Sequence, residues 1–481
     1  MGRTLTDRHR RFGFATLLAL LLAFAACSSG DGGSGNEADG EEPSDAGTVA
    51  VDPDEVATTV GASDDDTGGG QTESVPDDGQ PVIDADTPLL ETGRVVAADL
   101  AGPTAELVTL QDEPYIGAAV YPRPDYEGNP WSQWGQGIAL ADGRVITAIG
   151  DHLGADGNSY LFVYDPEASA LTRFADVLSA LEHESGSWGY GKVHGQMVDG
   201  GDGGIYFSTY WGTRRGLTLD GSYDGDVLFR LDTESLDLQP VVVPVPGFGI
   251  PSLAGDGRGR VYGEAVDPFL DPASYPGGGF FVYDVASGEV ATFEPDPAHA
   301  GFRNVMIGPD GQAFYANEDG GLFTYDPTSG SISVTEIDLG ADLRASTSAA
   351  SDGTIYGVTD RPTFEFFALD QDGQLDILGA TPAYTTSLAL LPDESGFLFV
   401  PGAHGQASEI GAPLIAVDSQ TGEQTTLVEL AELVSDEFGL VLGGTYSVTV
   451  DRERQLAHIG FNAGSQRDPW GEVVFVVVEL P

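Results

Sequence analysis

The fold is decided by a short stretch that recurs along the chain, Leu161-Phe162-Val163-Tyr164-Asp165-Pro166. Close copies occupy residues 280–284 and 322–327, and weaker copies occupy residues 228–232, 366–370 and 414–418. Each copy has mostly apolar and aromatic residues over four positions and then ends in aspartate, which favours a β-strand followed by a turn. A shorter apolar strand and a tight turn precede most copies. One unit of antiparallel strands therefore repeats along the chain.

Seven such units follow one another from about residue 91. Their first strands are predicted to begin near Trp134, Lys192, Phe248, Phe302, Arg344, Thr385 and Thr445. A repeat of roughly 40–60 residues with three or four strands is typical of a β-propeller. We therefore predict a single all-β domain over residues 91–481, a seven-bladed β-propeller.

The two ends of this domain predict how the ring closes. The seventh unit reaches only its third strand, residues 473–480, before the sequence ends. A fourth strand taken from elsewhere would remove the exposed edge of that sheet. The apolar segments 94–100 and 105–110 are the candidates, so we predict that an N-terminal strand completes the last blade.

The N-terminus has the three parts of a secretory signal. Its positive end is formed by Arg3, Arg8, Arg10 and Arg11. The apolar stretch 14–26 follows, and it is too short for a membrane-spanning helix, which needs about 20 apolar residues. Residues 24–30 resemble a bacterial lipobox around Cys27, the only cysteine of the chain. The resemblance implies a signal peptide over residues 1–26 and a lipid on Cys27, which would place the protein at the cell membrane, facing outside the cytoplasm. An ordinary cleaved signal with a chance cysteine is the alternative.

Residues 27–90 are predicted to form a disordered acidic tether. From residue 28 to residue 90 there are seventeen Asp and Glu and no Lys or Arg. Such a segment buries too little apolar surface to fold, and its charges repel one another. The formal net charge of the whole chain is −56, which argues against nucleic-acid binding and against direct docking on anionic lipid. We expect a monomer that meets the membrane only through Cys27.

The most suggestive stretch for chemistry is residues 188–196, at the start of the second unit. It brings Tyr190, Lys192 and His194 to the predicted mouth of the central channel, and Lys192 is the only lysine of the chain. Neutral imidazole can act as an acid, a base or a metal ligand, so these three residues are the candidate catalytic group. A His in a Gly-rich loop also serves as a structural hydrogen-bonding residue, and both interpretations stay open.

Loop ends of other units are expected to face the same space and to bind a ligand. The candidates are His152, Trp211, Arg214, Arg215, Arg361 and His404. The arginines suit an anionic group of a ligand, or alternatively they pair with the surrounding Asp and Glu. Asp220, Asp224 and Asp226 are spaced so that one loop could present several oxygens to Ca²⁺, although the glutamate that closes an EF-hand loop is missing. A solvated acidic loop is the alternative.

The repeated pattern resembles the bacterial β-propellers of the streptogramin-lyase and YVTN-repeat type over residues 91–481. In those lyases a His on an inner strand does acid–base work beside a divalent metal, and the resemblance implies this role for His194 alone. Two functions stay open. One is a binding protein whose ligand is a small molecule, a saccharide or a protein. The other is a lyase or hydrolase-like enzyme that acts on an extracellular saccharide or metabolite. The sequence shows no complete catalytic set, which favours binding, and the fold alone cannot choose.

Overall fold

A computed structural model describes residues 93–126, 128, 131–210, 223–266, 279–293, 304–317, 319–360 and 363–481. Within them, thirty strands form seven antiparallel sheets that follow one another along the chain. The sheets are the blades of a seven-bladed β-propeller, which confirms the predicted fold class. In the same residues, no helix combines the length and the hydropathy needed to cross a bilayer. The predicted signal peptide and tether, with Cys27, lie outside the described residues.

The strands of each blade follow the chain outward from the central axis. The strands before the first blade are β1 (Thr104–Glu106), β2 (Val108–Gln111) and β3 (Ile116–Val120). Blade 1 contains β4 (Ile138–Ala139), β5 (Val145–Gly150), β6 (Ser159–Asp165) and β7 (Ala170–Asp176). Blade 2 contains β8 (Val198–Asp199), β9 (Gly204–Ser208), β10 (Leu228–Asp232) and β11 (Leu238–Val242). Blade 3 contains β12 (Gly249–Gly255), β13 (Arg260–Val266), β14 (Gly279–Asp284) and β15 (Val290–Phe293).

The remaining blades follow the same plan. Blade 4 contains β16 (Val305–Ile307), β17 (Ala313–Ala316), β18 (Gly321–Asp326) and β19 (Ser331–Asp338). Blade 5 contains β20 (Leu343–Ser346), β21 (Ile355–Thr359), β22 (Glu365–Leu369) and β23 (Leu375–Ala380). Blade 6 contains β24 (Ala389–Leu390), β25 (Gly396–Phe399), β26 (Pro413–Asp418) and β27 (Gln424–Glu429). Blade 7 contains β28 (Val441–Asp451), β29 (Leu456–Ser465) and β30 (Asp468–Glu479). The helices are α1 (Val177–Ala180), α2 (Ala431–Phe438) and a 3₁₀ helix over Ala407–Ile410.

The repeated aromatic stretch forms the third strand of blades 1 to 6, and its side chains pack between neighbouring blades. Phe280 of blade 3 stacks on Tyr315 of blade 4, with ring centres 4.8 Å apart. Phe366 of blade 5 meets Phe397 of blade 6 edge-on, with ring centres 5.1 Å apart. Offset and edge-on aromatic pairs of this kind stabilise a core beyond their buried area. The core therefore lies in the interfaces between blades, which explains why the pattern had to repeat.

The aspartate that ends each copy of the stretch caps the turn after the strand. The carboxylate of Asp165 accepts hydrogen bonds from the N–H groups of Glu167 (2.8 Å) and Ala168 (3.2 Å). Asp326 accepts from the N–H of Thr328 at 2.8 Å, and this bond lowers the pKa of the Asp326 carboxyl below its usual value. Aspartate suits this position because its short side chain bonds to backbone two residues further on.

The ring closes through β3, and this corrects one detail of the prediction. An N-terminal strand completes blade 7, as expected, but it is residues 116–120 and not residues 94–100 or 105–110. β3 pairs antiparallel with β30 in the register Ile116–Val478 to Val120–Val474, and β2 then adds a fifth strand outside it. β1 instead pairs with β7 on the outer edge of blade 1. The stretch before it reaches blade 2, where Val96 bridges Leu238. The two predicted segments therefore cover edges of neighbouring blades.

A buried histidine lies in the interface that this closure creates. His458 of β29 is 1% exposed and packs on Phe475 of β30 and on Tyr164 of blade 1, with ring centres at 5.9 and 5.5 Å. Burial lowers the pKa of His458 to about 4, the nearby Arg454 acts in the same direction, and Asp451 opposes them only in part. The blade 1–blade 7 interface thus holds a neutral imidazole at any pH near 7.

This arrangement predicts a loss of stability in mild acid. In the unfolded chain His458 titrates near its ordinary pKa of 6.5, whereas in the folded protein it titrates near pH 4. Between these two values the unfolded state therefore binds a proton that the folded state does not bind, and this favours unfolding. The free energy of unfolding should therefore fall between pH 6.5 and pH 4, by on the order of 3 kcal/mol from this group. We expect His458→Phe to remove that part of the dependence in urea unfolding curves measured across the range.

The comparison of the two proteins isolates His458 from carboxyl groups that titrate in the same range. Asp151 is one of these, because burial raises its pKa to about 6. Identical pH dependence in the wild type and in His458→Phe would contradict the account of this interface.

Candidate functional site

The topology gathers the ends of several strands at one end of the ring. Within a blade, the first two strands are antiparallel, so the start of the first lies beside the end of the second. Backbone bridges between Ser132 and Gly150 in blade 1 and between Lys192 and Tyr210 in blade 2 extend this pairing past the regular strands. Side chains next to these bridges therefore face the mouth of the central channel.

Trp134 is the centre of the candidate site. It lies between blades 1 and 7, where its ring stacks on Trp470 at 5.3 Å with an interplanar angle of 8° and contacts Tyr446 at 4.6 Å. The rings of His152 and His404 lie 5.6 and 6.0 Å from the ring of Trp134. We call the following residues the mouth cluster: Trp134, His152, Lys192, Arg344, Tyr384, His404, Tyr446 and Trp470. Its members come from blades 1, 2, 5, 6 and 7.

Two cations are buried against the aromatic rings of the mouth cluster. Lys192 is 2% exposed, and its Nζ lies 4.0 Å from the ring centre of Trp134 and 5.3 Å from that of Tyr210. The guanidinium of Arg344 lies 5.3 Å from the ring of Tyr384, and its Nε donates a hydrogen bond of 2.6 Å to the Tyr384 hydroxyl. A cation over an aromatic face contributes about 2 kcal/mol when it is desolvated. These contacts fix the orientation of the rings.

The histidines of the mouth cluster are held by their backbone as well as by ring contacts. His152 and His404 both adopt left-handed backbone, with φ of 53° and 64°. The N–H of His152 donates to the carbonyl of Gly191 in blade 2 at 3.0 Å. Trp134 Nε1 donates to Ser132 Oγ at 2.6 Å, and the same oxygen lies within hydrogen-bond distance of His152 Nε2, at 3.2 Å. The structure therefore brings the predicted ligand residues His152 and His404 together with Lys192 around one tryptophan.

His194 belongs to an outer layer of the site. Its Nδ1 lies 2.7 Å from the carbonyl oxygen of Pro251, so this nitrogen carries a hydrogen and donates it. Nε2 is then the nitrogen with the lone pair while the imidazole is neutral. The ring of His194 lies 5.1 Å from the ring of Tyr210, which in turn faces Lys192. The arrangement selects one tautomer, as an acid–base residue requires.

Tyr190 is placed differently from the other two predicted catalytic residues. Its hydroxyl donates to the carbonyl of Gly225 at 2.9 Å, and its ring packs near Tyr223, 6.3 Å away. Burial raises the pKa of the Tyr190 hydroxyl above its usual value. This residue joins two segments of blade 2, and its predicted catalytic role stays a prediction.

Several predicted residues lie outside the described part of the chain, namely Trp211, Arg214, Arg215, Asp220 and Arg361. Of the proposed Ca²⁺ ligands, Asp226 is buried, and its carboxylate accepts from Ile250 N at 2.8 Å and from Thr209 Oγ1 at 3.3 Å. Burial raises its pKa well above the usual value. Among the described residues, no three His, Cys, Asp or Glu side chains form a group that could hold a metal.

The sequence prediction did not recognise the aromatic members of the mouth cluster as functional. Trp134, Tyr384 and Tyr446 each lie at or just before the first strand of a blade, and Trp470 lies near the start of β30. An aromatic residue at a strand end is predicted to belong to the hydrophobic core rather than to a functional site. The available signal was that Trp134 and Tyr384 occur at equivalent positions of two units.

No family model and no curated protein matches this chain. Among solved structures, it is similar to a chain of the mitotic checkpoint complex, with 10% sequence identity and a TM-score of 0.46, over 86% of this chain and 99% of that chain. It is also similar to a catalytically inactive virginiamycin B lyase from Staphylococcus aureus, determined with quinupristin. In that case the identity is 10% and the TM-score 0.43, over 76% of this chain and 99% of that chain. Both similarities concern the fold and leave the activity of this chain open.

The central position of Trp134 predicts unequal effects of two tryptophan substitutions. Trp134→Ala should lower the free energy of unfolding by about 3–5 kcal/mol, because it leaves a cavity that several side chains line. Trp470→Ala should cost less than half of that, since Trp470 is only half-buried. Guanidinium unfolding of both variants measures the difference. Equal losses would show that Trp134 is not the residue on which the cluster is assembled.

Proposed function

We propose that the protein is a lipid-anchored, extracytoplasmic β-propeller that binds a saccharide, or another small molecule built on rings, at the mouth cluster. One observation carries the binding proposal. Three rings at the mouth, those of Phe364, His404 and Trp470, are half-buried and rest on the buried rings of Tyr384 and Trp134.

Half-buried rings of this kind suit a ligand that stacks. The faces of aromatic rings carry negative charge from their quadrupoles, which attracts the polarised C–H groups on the face of a sugar ring. Beneath them, the cations Lys192 and Arg344 hold Trp134 and Tyr384 in position, so little side-chain freedom is lost on binding. Rigid aromatic residues with buried support are what a binding site needs for orientation.

The location is proposed from the sequence. The arginines before residue 12, the apolar stretch 14–26 and the lipobox-like residues around Cys27 support export and lipid attachment. The acidic segment 28–90 then supports a solvated spacer between the lipid and the propeller. A lipid anchor and a ligand-binding mouth together describe a surface receptor.

The anchor is tested by Cys27→Ser in the native host. We expect the wild type in the membrane fraction and Cys27→Ser in the soluble fraction, because the lipid is the only proposed membrane contact. Ser28→Ala is the matched control and should stay with the membrane. Intact mass of the wild type should show a chain that begins at residue 27 and carries acyl groups. A membrane-bound Cys27→Ser protein would contradict the anchor.

The mouth is tested with defined oligosaccharides. The Cys27→Ser protein is screened on a glycan array, and the tightest oligosaccharide is titrated by tryptophan fluorescence. We expect Trp470→Ala to weaken binding about tenfold or more, since a central aromatic contact typically contributes 2 kcal/mol or more. Tyr115→Ala, a half-buried aromatic on the outer edge of blade 7, is the control and should bind normally. An array without binders, or unchanged affinity of Trp470→Ala, would contradict saccharide binding at the mouth.

An enzyme acting through His194 is the second candidate. It is favoured by the hydrogen bond from His194 Nδ1 to Pro251, which presents the imidazole as one tautomer. Mass spectrometry of the bound oligosaccharide after prolonged incubation separates the two functions. A binding protein returns the oligosaccharide unchanged. A lyase yields an unsaturated product and a hydrolase adds one water, and either activity should disappear in His194→Asn.

A further inference from the structure

A second site lies inside the ring, away from the mouth cluster. A cavity of about 640 Å³ is lined by first-strand residues of all seven blades. Its lining includes Asp256, Arg258, Pro309 and Arg452, which belong to the tight turns between first and second strands. The cavity therefore reaches the face that carries these turns, which we call the short-turn face.

The cavity and the mouth cluster occupy opposite ends of the first strands. In blade 1 Trp134 precedes the lining residue Gln136, and in blade 7 Tyr446 precedes the lining residue Thr449. None of the mouth-cluster residues lines the cavity. A molecule that enters the cavity from the short-turn face therefore meets a different set of side chains from one bound at the mouth.

The described wall of the cavity mixes polar groups with aliphatic side chains such as Ile138, Leu253 and Leu388, and it is uncharged along most of its depth. Amide and hydroxyl groups come from Gln136, Gln196, Asn304, Ser346, Ser348 and Thr449. The charged lining residues lie in turns at the short-turn face. Of these, the carboxylate of Asp256 is almost fully covered and accepts from the N–H groups of Arg258 and Arg260 at 2.8 and 3.0 Å. Such a wall offers hydrogen bonds to a neutral molecule. It offers few charges that could offset the cost of removing an ion from water.

Asn304, one of the residues that line the cavity, keeps a hydrogen-bond donor without an acceptor in the part of the chain that the structure describes. It is 3% exposed, and its Oδ1 accepts from Ser346 Oγ at 3.3 Å, but its Nδ2 donates to no acceptor among the described residues. By contrast, Nε2 of Gln136 donates to the carbonyl of Val448 at 2.8 Å. A buried donor without an acceptor costs about 1–3 kcal/mol, so a ligand oxygen that reached Asn304 Nδ2 would recover that cost.

We propose that this cavity binds a neutral polyhydroxylated molecule of about monosaccharide size, which enters from the short-turn face and accepts a hydrogen bond from Asn304 Nδ2. The cavity volume falls in the range of small-molecule sites, about 300–1,000 Å³. Such a molecule carries hydroxyl groups, which both donate and accept, and apolar C–H groups, which matches a wall of amides, hydroxyls and aliphatic side chains. The net charge of −56 further disfavours an anionic ligand.

The test is calorimetric titration of the full chain carrying Cys27→Ser. Neutral probes are myo-inositol, glucose and N-acetylglucosamine, and charged comparators are gluconate and glucosamine. We expect saturable binding of at least one neutral probe and weaker binding of both charged ones. Asn304→Asp keeps the shape but removes both amide hydrogens, so the affinity should fall about tenfold. Ser348→Trp should abolish binding, because this exposed wall residue would then fill the cavity.

Trp470→Ala separates this proposal from the function proposed for the mouth. It should leave binding of the neutral probe unchanged while it weakens the oligosaccharide. Loss of the neutral probe in Trp470→Ala would place that probe at the mouth and overturn the channel site. The proposal also fails if no neutral probe binds, if a charged comparator binds more tightly, or if Ser348→Trp binds as the wild type does. If Asn304→Asp does not fold, the affinity of Ser348→Trp for the neutral probe alone tests whether the cavity is the binding site.

Discussion

The antiparallel pairing of β3 with β30 is the constraint on which the rest of the structure depends. Without β3 the strand β30 would expose a long edge of valines, and blade 7 would lack its outer support. Closure also fixes blade 7 against blade 1. At the mouth, Asn462 accepts from the N–H of Gln133 and donates to its carbonyl at 2.8 and 2.9 Å. Trp134 can meet Tyr446 and Trp470 only because these two blades are held together.

The same closure gives the molecule two chemically different ends. At the mouth, aromatic rings with buried cations form a rigid surface suited to stacking. In the channel, amides and hydroxyls alternate with aliphatic side chains, and the buried amide of Asn304 keeps a donor without an acceptor among the described residues. First strands of the blades contribute to both ends, and the mouth also takes residues from the ends of second strands and from β30. The repeat therefore supplies the scaffold, and the residues that differ between blades supply the chemistry.

Much of the fold could be predicted because each unit carries its own signals. Aromatic strands that end in aspartate are local patterns with local causes, such as the turn after Asp165. The closing strand was assigned wrongly because β3, Ile116-Gly117-Ala118-Ala119-Val120, has only Gly and Ala at its three central positions, and its fit against β30 depends on tertiary packing. That His152, Lys192 and His404 lie near one another could be predicted from strand ends alone, whereas their roles stay a prediction. The role of Trp134 could not be predicted, because the sequence pattern of a tryptophan at a strand end indicates a core residue. Its contacts with residues of other blades become known only from the structure.

The most direct test of this account is a pair of aspartate substitutions in the full chain. Ala118 lies fully buried in β3, whereas Val108 lies partly exposed in β2. The account predicts that Ala118→Asp lowers the free energy of unfolding by about 3 kcal/mol or more and shifts tryptophan emission to the red, because a buried charge separates β3 from β30 and loosens the mouth. Val108→Asp should leave both nearly unchanged. An Ala118→Asp protein with wild-type stability and emission would contradict the claim that closure by β3 holds the site together.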